Sequence, residues 1–248
     1  MHKTVTQHRS AALPPEPGTA PTLDEVRDAI ITCERCRRLR EYTQRIGREK
    51  RRAYLHDAYW ARPVPGFGDP RARLLIVGLA PAAHGANRTG RVFTGDGPDG
   101  SGDFLMTALH RNGFANQTTS THRDDGLTLH DAFIAAAVRC APPDNKPRPD
   151  ELLNCLPHLD RELLALPHVQ TIVALGSIAF DAYLRLLAAR GVAIRPRPHF
   201  AHASSVVLPD SRTLIGCYHP SRQNTNTGRL TPDMMAAVFA QARRTLRS

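Results

Sequence analysis

The sequence predicts a single-domain, three-layer α/β/α sandwich built on a central four-stranded parallel sheet. Three observations carry that expectation. Four short runs, 73–80, 132–140, 171–177 and 212–220, are almost continuously apolar, as suits strands buried on both faces of a parallel sheet. Helix-like stretches lie between or after them, near 102–112, 149–165, 176–188 and 231–246, and that alternation places helices on both faces. The chain has 248 residues, 41% of them hydrophobic, which is enough for one packed core.

Taken in order, residues 1–21 are rich in Pro, Ala and Thr and read as disordered, so the folded domain is expected over 22–248. Thr22 is a plausible N-cap for "LDEVRDAIITC". From Glu34 to Arg52 there are nine Arg or Lys against three Glu. Such a run is either a solvated helix face with Glu–Arg pairs or a phosphate-binding surface, and its share of the surplus charge favours the second. The first strand leads into "GLAPAAHGANRTGRVFTGD" (78–96), which carries four glycines and little helix or strand pattern. Gly85 to Val92 nearly matches a phosphate-cradling Gly-x-x-x-x-Gly-Lys-Ser/Thr loop. However, Arg91 replaces the lysine and Val92 has no hydroxyl for magnesium, which argues against a nucleotide-dependent transferase. The stretch is either a plain strand-to-helix turn or a backbone that approaches a ligand closely. Phe93, an aromatic set among Gly, Asn and Arg, favours the ligand. Later strands run into "CAPPDNKPRP" and "HPSRQNTNTG", and in such sheets ligands gather beyond the carboxyl ends of the strands.

The net charge is +10 and the pI about 10.0, which favours polyanionic partners such as nucleic acid. No run approaches the roughly 18 apolar residues of a membrane span, and the N-terminus lacks a signal-peptide core, so a soluble, cytoplasmic protein is expected. In a reducing compartment the five cysteines point to metal or redox chemistry before disulfides. Cys33 and Cys36 form a Cys-x-x-Cys pair, while Cys140 and Cys155 are widely spaced. Zinc usually joins two close pairs and an iron–sulfur cluster tolerates irregular spacing, so spacing alone leaves both open. Cys217, inside the last apolar run, reads as a small buried hydrophobe.

The stretch 78–96, Cys33-x-x-Cys36, "CAPPDNKPRP" and "HPSRQNTNTGRLTPDM" together resemble the uracil-DNA glycosylase superfamily, and within it the iron–sulfur family-5 (type B) bacterial enzymes. The resemblance spans roughly residues 30–240 in order. It implies a monomeric, monofunctional glycosylase that acts on DNA, double-stranded and also single-stranded, removing deaminated bases and leaving abasic sites. It also implies a [4Fe-4S] cluster on Cys33, Cys36, Cys140 and Cys155, stapling the N-terminal segment to the chain after Cys140. A base inside a duplex is out of reach, so the nucleotide must be flipped into a pocket. By carry-over, Gly78 and Phe93 hold the flipped ring and Asn145 reads its edge with one donor and one acceptor. His219 donates to the base oxygen where negative charge develops. Ser221, Arg222 and Gln223 lie in the minor groove, and Arg51 and Arg52 take phosphates. Without the resemblance, a core Phe93 is the lesser alternative, a turn-forming Asn145 fits equally well, and a histidine placed like His219 is more often structural.

The sequence departs from the classical Gly-Gln-Asp-Pro-Tyr-His pattern at two positions. In Gly78-Leu79-Ala80-Pro81-Ala82, Ala80 occupies the place of the aspartate that positions water. That leaves backbone near Ala80, or Asn87 or His84, to orient the water, with Asn87 first. Asp96 is a further candidate that otherwise reads as a turn or helix-N-terminal aspartate. Ala82 occupies the place of the tyrosine that walls off the ring edge, which implies that uracil, hypoxanthine and xanthine are all accepted. The alternative from another class is a non-catalytic iron–sulfur nucleic-acid-binding protein.

Overall fold

The structure is a computed structural model that describes residues 20–97 and 100–246. The segment expected to be disordered lies outside these residues except for its last two. Helix α1 (Leu23–Ile31) starts at Thr22, as expected. The Thr22 hydroxyl accepts from the Glu25 amide at 3.2 Å, and the Thr22 amide donates to the Glu25 carboxylate at 2.8 Å, closing a capping box. Helix α2 (Arg37–Glu49) occupies the basic run.

The sheet has six strands in the order β1-β3-β2-β4-β6-β5. Its centre is the expected parallel set: β2 (Leu74–Gly78), β3 (Ala132–Ala136), β4 (Thr171–Leu175) and β6 (Thr213–Cys217). The expected count of four omitted two antiparallel edge strands, β1 (Phe67–Gly68) and β5 (Ser205–Val207). At two and three residues they are too short for any periodicity to appear in the sequence.

Register follows from alternation along the parallel strands. Ile76 lies opposite Ile134 and Val173, and Val173 opposite Ile215. These four pack with Leu105 and Leu109 of α4 (Ser101–Arg111) and with Val238 and Phe239 of α8 (Pro232–Thr245). One position earlier, Leu75 lies opposite Phe133 and Ile172, and Ile172 opposite Leu214. They pack with Leu159 and Leu163 of α5 (Pro149–Leu164) and with Phe180 and Tyr183 of α6 (Ser177–Ala189). Burying one such side chain is worth about 1.5–3 kcal/mol, and a one-residue slip would misplace every one of them. The two apolar faces therefore fix where all four strands end.

Beyond β3, Arg139 and Glu162 of α5 form an ion pair with side chains 1% and 2% exposed. Glu162 also accepts from the Gly66 amide at 3.0 Å. Leaving one such charge buried without its partner costs about 3–5 kcal/mol, so the chain leading into Cys140 is tied firmly to α5. At the other ends of the strands, Gly78, Ala136, Leu175 and Cys217 all release the chain on one side of the sheet. Among the described residues, no helix is long and apolar enough to cross a membrane.

Candidate active site

The chain leaving β2 doubles back around a short helix, α3 (Ala86–Thr89). Arg88 staples this loop. Its Nε donates to the His84 carbonyl at 2.9 Å, Nη2 to the Gly95 carbonyl at 2.8 Å and Nη1 to Asp57 at 2.6 Å, and its plane lies 4.0 Å from the Tyr54 ring centroid. Arg91 is 4% exposed and turned inward, bonding Thr94 Oγ1 at 2.9 Å, the Arg123 carbonyl at 2.9 Å and Asp125 at 2.7 Å. The residue standing where a phosphate loop has its lysine is thus a structural anchor. Gly95 has φ +79, and a Cβ there would sit 2.7 Å from Arg88 Nη2. Between the staples, Phe93 is held at φ +50, a conformation that a bulky L-residue keeps only when its surroundings impose it. Its ring lies across the end of β2, where a Cβ on Gly78 would approach Phe93 Cε2 to 2.7 Å.

A cavity of ≈ 720 Å³ opens beside this ring, within the usual range for small-molecule sites. From the loop it brings together Ala80, Ala82, His84, Phe93 and Asp96. After β3 comes Asn145, at the end of the Pro143–Asn145 turn, where Asp144 and Asn145 have φ +55 and +56. After β6 come His219, Ser221 and Arg222, and beyond α2 comes Arg51. The His219 carbonyl accepts from the Ser221 amide and from Asn224 Nδ2, both at 2.8 Å, which ties it to α7 (Arg222–Asn226). The His219 ring lies 6.0 Å from Phe93, centroid to centroid.

Asn87 and Gly78 depart from expectation, and the basic residues are only partly free. Asn87 was the first candidate to orient water, but it is fully buried and absent from the cavity wall. Its Nδ2 donates to the carbonyls of Thr43 and Ala83 at 3.3 Å, so it joins the loop to α2. Gly78 lies beneath Phe93 rather than on the wall. Arg52 and Gln223 are exposed and off the cavity wall, a placement compatible with contacts to a DNA strand. Finally, much of the basic run is occupied within the protein: Arg37 pairs with Glu41, Arg45 with Glu49, Arg38 with Glu151 and Arg40 with Glu34. Sequence reading missed two wall residues, Tyr42 and Tyr54; the available signal was their position as aromatics interleaved with that basic run.

Burial drives the titratable groups of the cavity in opposite senses. Asp96 is pushed up to about 6, chiefly by burial, with Arg222 opposing and Asp103 reinforcing. His219 is pushed down to about 4 by burial. His84 is lowered by burial and then by Arg51 and Arg88. At neutral pH the cavity thus holds one carboxylate that takes up a proton readily and two uncharged imidazoles.

The cysteines fall into two groups. Cys217 is buried in the core among the residues facing α4 and α8. Cys140 and Cys155 are buried and pack with Cys36, Leu39 and Val138, against which Ala80 also packs. Asn154 Nδ2 lies 3.6 Å from Cys36 Sγ. Burial pushes the Cys140 thiol up to about 12 and the Cys155 thiol up to about 11. Each is raised further by the other thiols of the quartet and lowered by an arginine, Arg40 and Arg139 respectively. Among the described residues, no three His, Cys, Asp or Glu converge closely enough to hold one metal ion. The four thiols form a soft donor set.

Comparison with known proteins gives a consistent result. The family model described as "Uracil DNA glycosylase superfamily" matches residues 65–243. The "Type-5 uracil-DNA glycosylase" of Mycobacterium tuberculosis is 48% identical over 228 residues, covering 92% of this chain and 83% of that protein. The protein of the same name from Thermus thermophilus is 48% identical over 215 residues, covering 87% of this chain and 94% of its own length. That from Pyrobaculum aerophilum is 42% identical over 219 residues, covering 88% and 91%.

The seat of Phe93 gives the first prediction. Gly78→Ala should cost about 1–3 kcal/mol in urea unfolding, the usual penalty of overpacking. Adding Phe93→Leu should remove most of that cost, because the collision is with the ring edge. Costs that simply add in the double variant would show that Gly78 and Phe93 are not coupled.

Proposed function

The chain belongs to the uracil-DNA glycosylase superfamily, and on that premise we propose that it hydrolyses the N-glycosidic bond of uracil and other deaminated bases in DNA. The observation that carries this reading is the convergence on one cavity of an aromatic face, an amide side chain, a neutral imidazole and a carboxylate with a raised pKa. Hydrolysis of a flipped nucleotide needs those four groups. Phe93 stacks on the base, and Asn145 offers its edge one donor and one acceptor. His219, neutral at pH 7, donates an N–H to the base oxygen that gains charge as the C1′–N bond lengthens. A single donor of this kind is worth roughly 10²–10³-fold in rate.

The water falls to Asp96 rather than to Asn87. Ala80 supplies no carboxylate, but its backbone lies on the same wall. As the sugar carbon becomes electron-poor, a water oxygen adds to C1′, its proton passes to Asp96, and the base departs with the bonding electrons. Arg51, Ser221 and Arg222 at the rim suit the phosphates of the strand, with duplex DNA as the main partner and the protein acting as a monomer. Protein that binds DNA but never leaves an alkali-labile site would instead support a non-catalytic binding role.

Cys33, Cys36, Cys140 and Cys155 would hold a [4Fe-4S] cluster. Bound there, it supplies a covalent staple between the segment before α2, the chain after β3 and α5, since hydrolysis requires no electrons. Arg40 and Arg139 offset the charge that four thiolates would carry. Anaerobically purified protein should contain cluster iron. Replacing Cys33, Cys140 or Cys155 by Ser should lower iron content and melting temperature together, while Cys217→Ser leaves the iron intact. Stoichiometric zinc without iron would defeat the assignment.

The raised pKa of Asp96 sets a pH dependence. If its carboxylate accepts the water proton, single-turnover excision of uracil should rise with pH through about 6 and level off. Asp96→Asn should abolish that rise and lower the plateau by about 10²–10⁴-fold. A folded-state pKa above the ordinary one means that ionising Asp96 costs stability, a cost that grows as pH rises from about 4 to about 6. Asp96→Asn should therefore melt above the parent at pH 8 and together with it at pH 3. A variant that keeps the pH profile would remove Asp96 from the chemistry.

Base range follows from Ala82. With no aromatic wall at that position, hypoxanthine and xanthine should be excised as well as uracil, at unequal rates, since an apolar wall discriminates by only about 1–3 kcal/mol. Ala82→Tyr should suppress hypoxanthine excision more than uracil excision. Equal suppression of both would contradict the open-wall account.

A further inference from the structure

His84 lies in the cavity loop, yet the reaction outlined above leaves it without a task. Its surroundings are unusually well defined. The Tyr59 hydroxyl lies 3.0 Å from His84 Nδ1, and the two rings meet edge-on at 87° with centroids 6.1 Å apart. The pair suits a hydrogen bond in which the Tyr59 hydroxyl donates and His84 Nδ1 accepts, the roles being set by the imidazole tautomer. As a donor the hydroxyl has a single proton to give, and Nδ1 is the ring nitrogen within reach. With Nδ1 accepting, the neutral imidazole must carry its proton on Nε2. Arg88 pins the His84 carbonyl at 2.9 Å, so ring and backbone are both fixed before any ligand arrives.

Next to this imidazole, on the same cavity wall, is Arg51. Its guanidinium has no ion pair among the described residues, unlike Arg37, Arg38, Arg40 and Arg45 of the helix before it. A fixed neutral N–H beside an unpaired guanidinium offers donors, and the Asp57 carboxylate is already taken by Arg88 at 2.6 Å. A base edge presents donors as well as acceptors and would be poorly matched by such a corner. A phosphodiester presents acceptors alone.

We propose that His84 Nε2 and the Arg51 guanidinium together form a phosphate subsite for a phosphodiester flanking the flipped nucleotide, with Tyr59 the positioning residue that fixes the His84 tautomer. This rests on the glycosylase reading, because it takes the nucleotide in the cavity to belong to a DNA strand. It assigns Tyr59, outside the cavity wall, a task in binding through His84 alone.

The test uses the full-length protein and duplexes carrying one tetrahydrofuran abasic residue, with a single uncharged methylphosphonate at each flanking phosphate in turn. At one of these positions, neutralisation should weaken wild-type binding about tenfold, the effect of losing a charge-assisted hydrogen bond. In His84→Ala the same neutralisation should cost well under threefold, since the two losses share one contact. His84→Gln, whose amide nitrogen reaches the Nε2 position, should keep near-parental affinity and phosphate dependence, while His84→Asn should not. Tyr59→Phe should weaken binding several-fold in the parent and not at all in the His84→Gln background, which has no tautomer to set. Unchanged melting curves confirm that folding is intact. Additive effects of His84→Ala and the methylphosphonate, or a Tyr59→Phe loss that persists beside His84→Gln, would overturn the subsite. Wild-type protein that excises no uracil and does not prefer the abasic duplex would overturn the glycosylase reading instead.

Discussion

One guanidinium governs the shape of the cavity. Arg88 bridges the His84 and Gly95 carbonyls, anchors to Asp57 and stacks on Tyr54, so the two ends of the loop after β2 are held by a single planar group. Everything between is positioned by that span: Phe93 is kept at φ +50, and Arg91 is buried below it. Five donors in a rigid fork allow one side chain to do this, and Lys in its place could not. The glycines matter because the staple passes close to the backbone, as the short distance from Gly95 to Arg88 shows. A motif that reads like a flexible phosphate loop is in fact braced from within.

Burial has a different consequence in the same place. It raises the Asp96 carboxyl and lowers the His219 imidazole, so one physical cause leaves a readily protonated carboxylate and an uncharged imidazole within one pocket. Pairs of titratable groups driven apart by their environment are the usual arrangement of acid–base sites. Ala80 and Ala82 stand where the classical pattern has Asp and Tyr, and the Asp96 carboxylate enters the cavity from the far end of the loop. Both ends of one stapled segment thus contribute to the pocket wall.

The fold was legible because parallel strands buried on two faces must be apolar throughout, and 73–80, 132–140, 171–177 and 212–220 are. Edge strands of two and three residues leave no such trace. Within the site, residues following strand ends were readable from position: Phe93, Asn145, His219, Ser221 and Arg222 all reach one cavity. Asn87 was misjudged because sequence cannot say which way a loop side chain turns, and this one is drawn inward by two carbonyls. The basic run was legible only in part, for a related reason. Its partners Glu34, Glu41 and Glu49 are local, but Glu151 lies more than a hundred positions away, so only the fold reveals which arginines are already paired.

Everything in this site turns on where the base goes. The most direct measurement is a crystal structure with a duplex containing 2′-fluoro-2′-deoxyuridine, whose fluorine slows cleavage of the glycosidic bond. The prediction is that the uracil ring is extruded onto the Phe93 face, within hydrogen-bond reach of Asn145 and His219. The chain from 79 to 97 should superpose on its position in the free protein. A uracil left stacked in the duplex, or a loop that must unfasten Arg88 from His84 or Gly95 to admit it, would contradict the claim that a braced loop forms the pocket in advance.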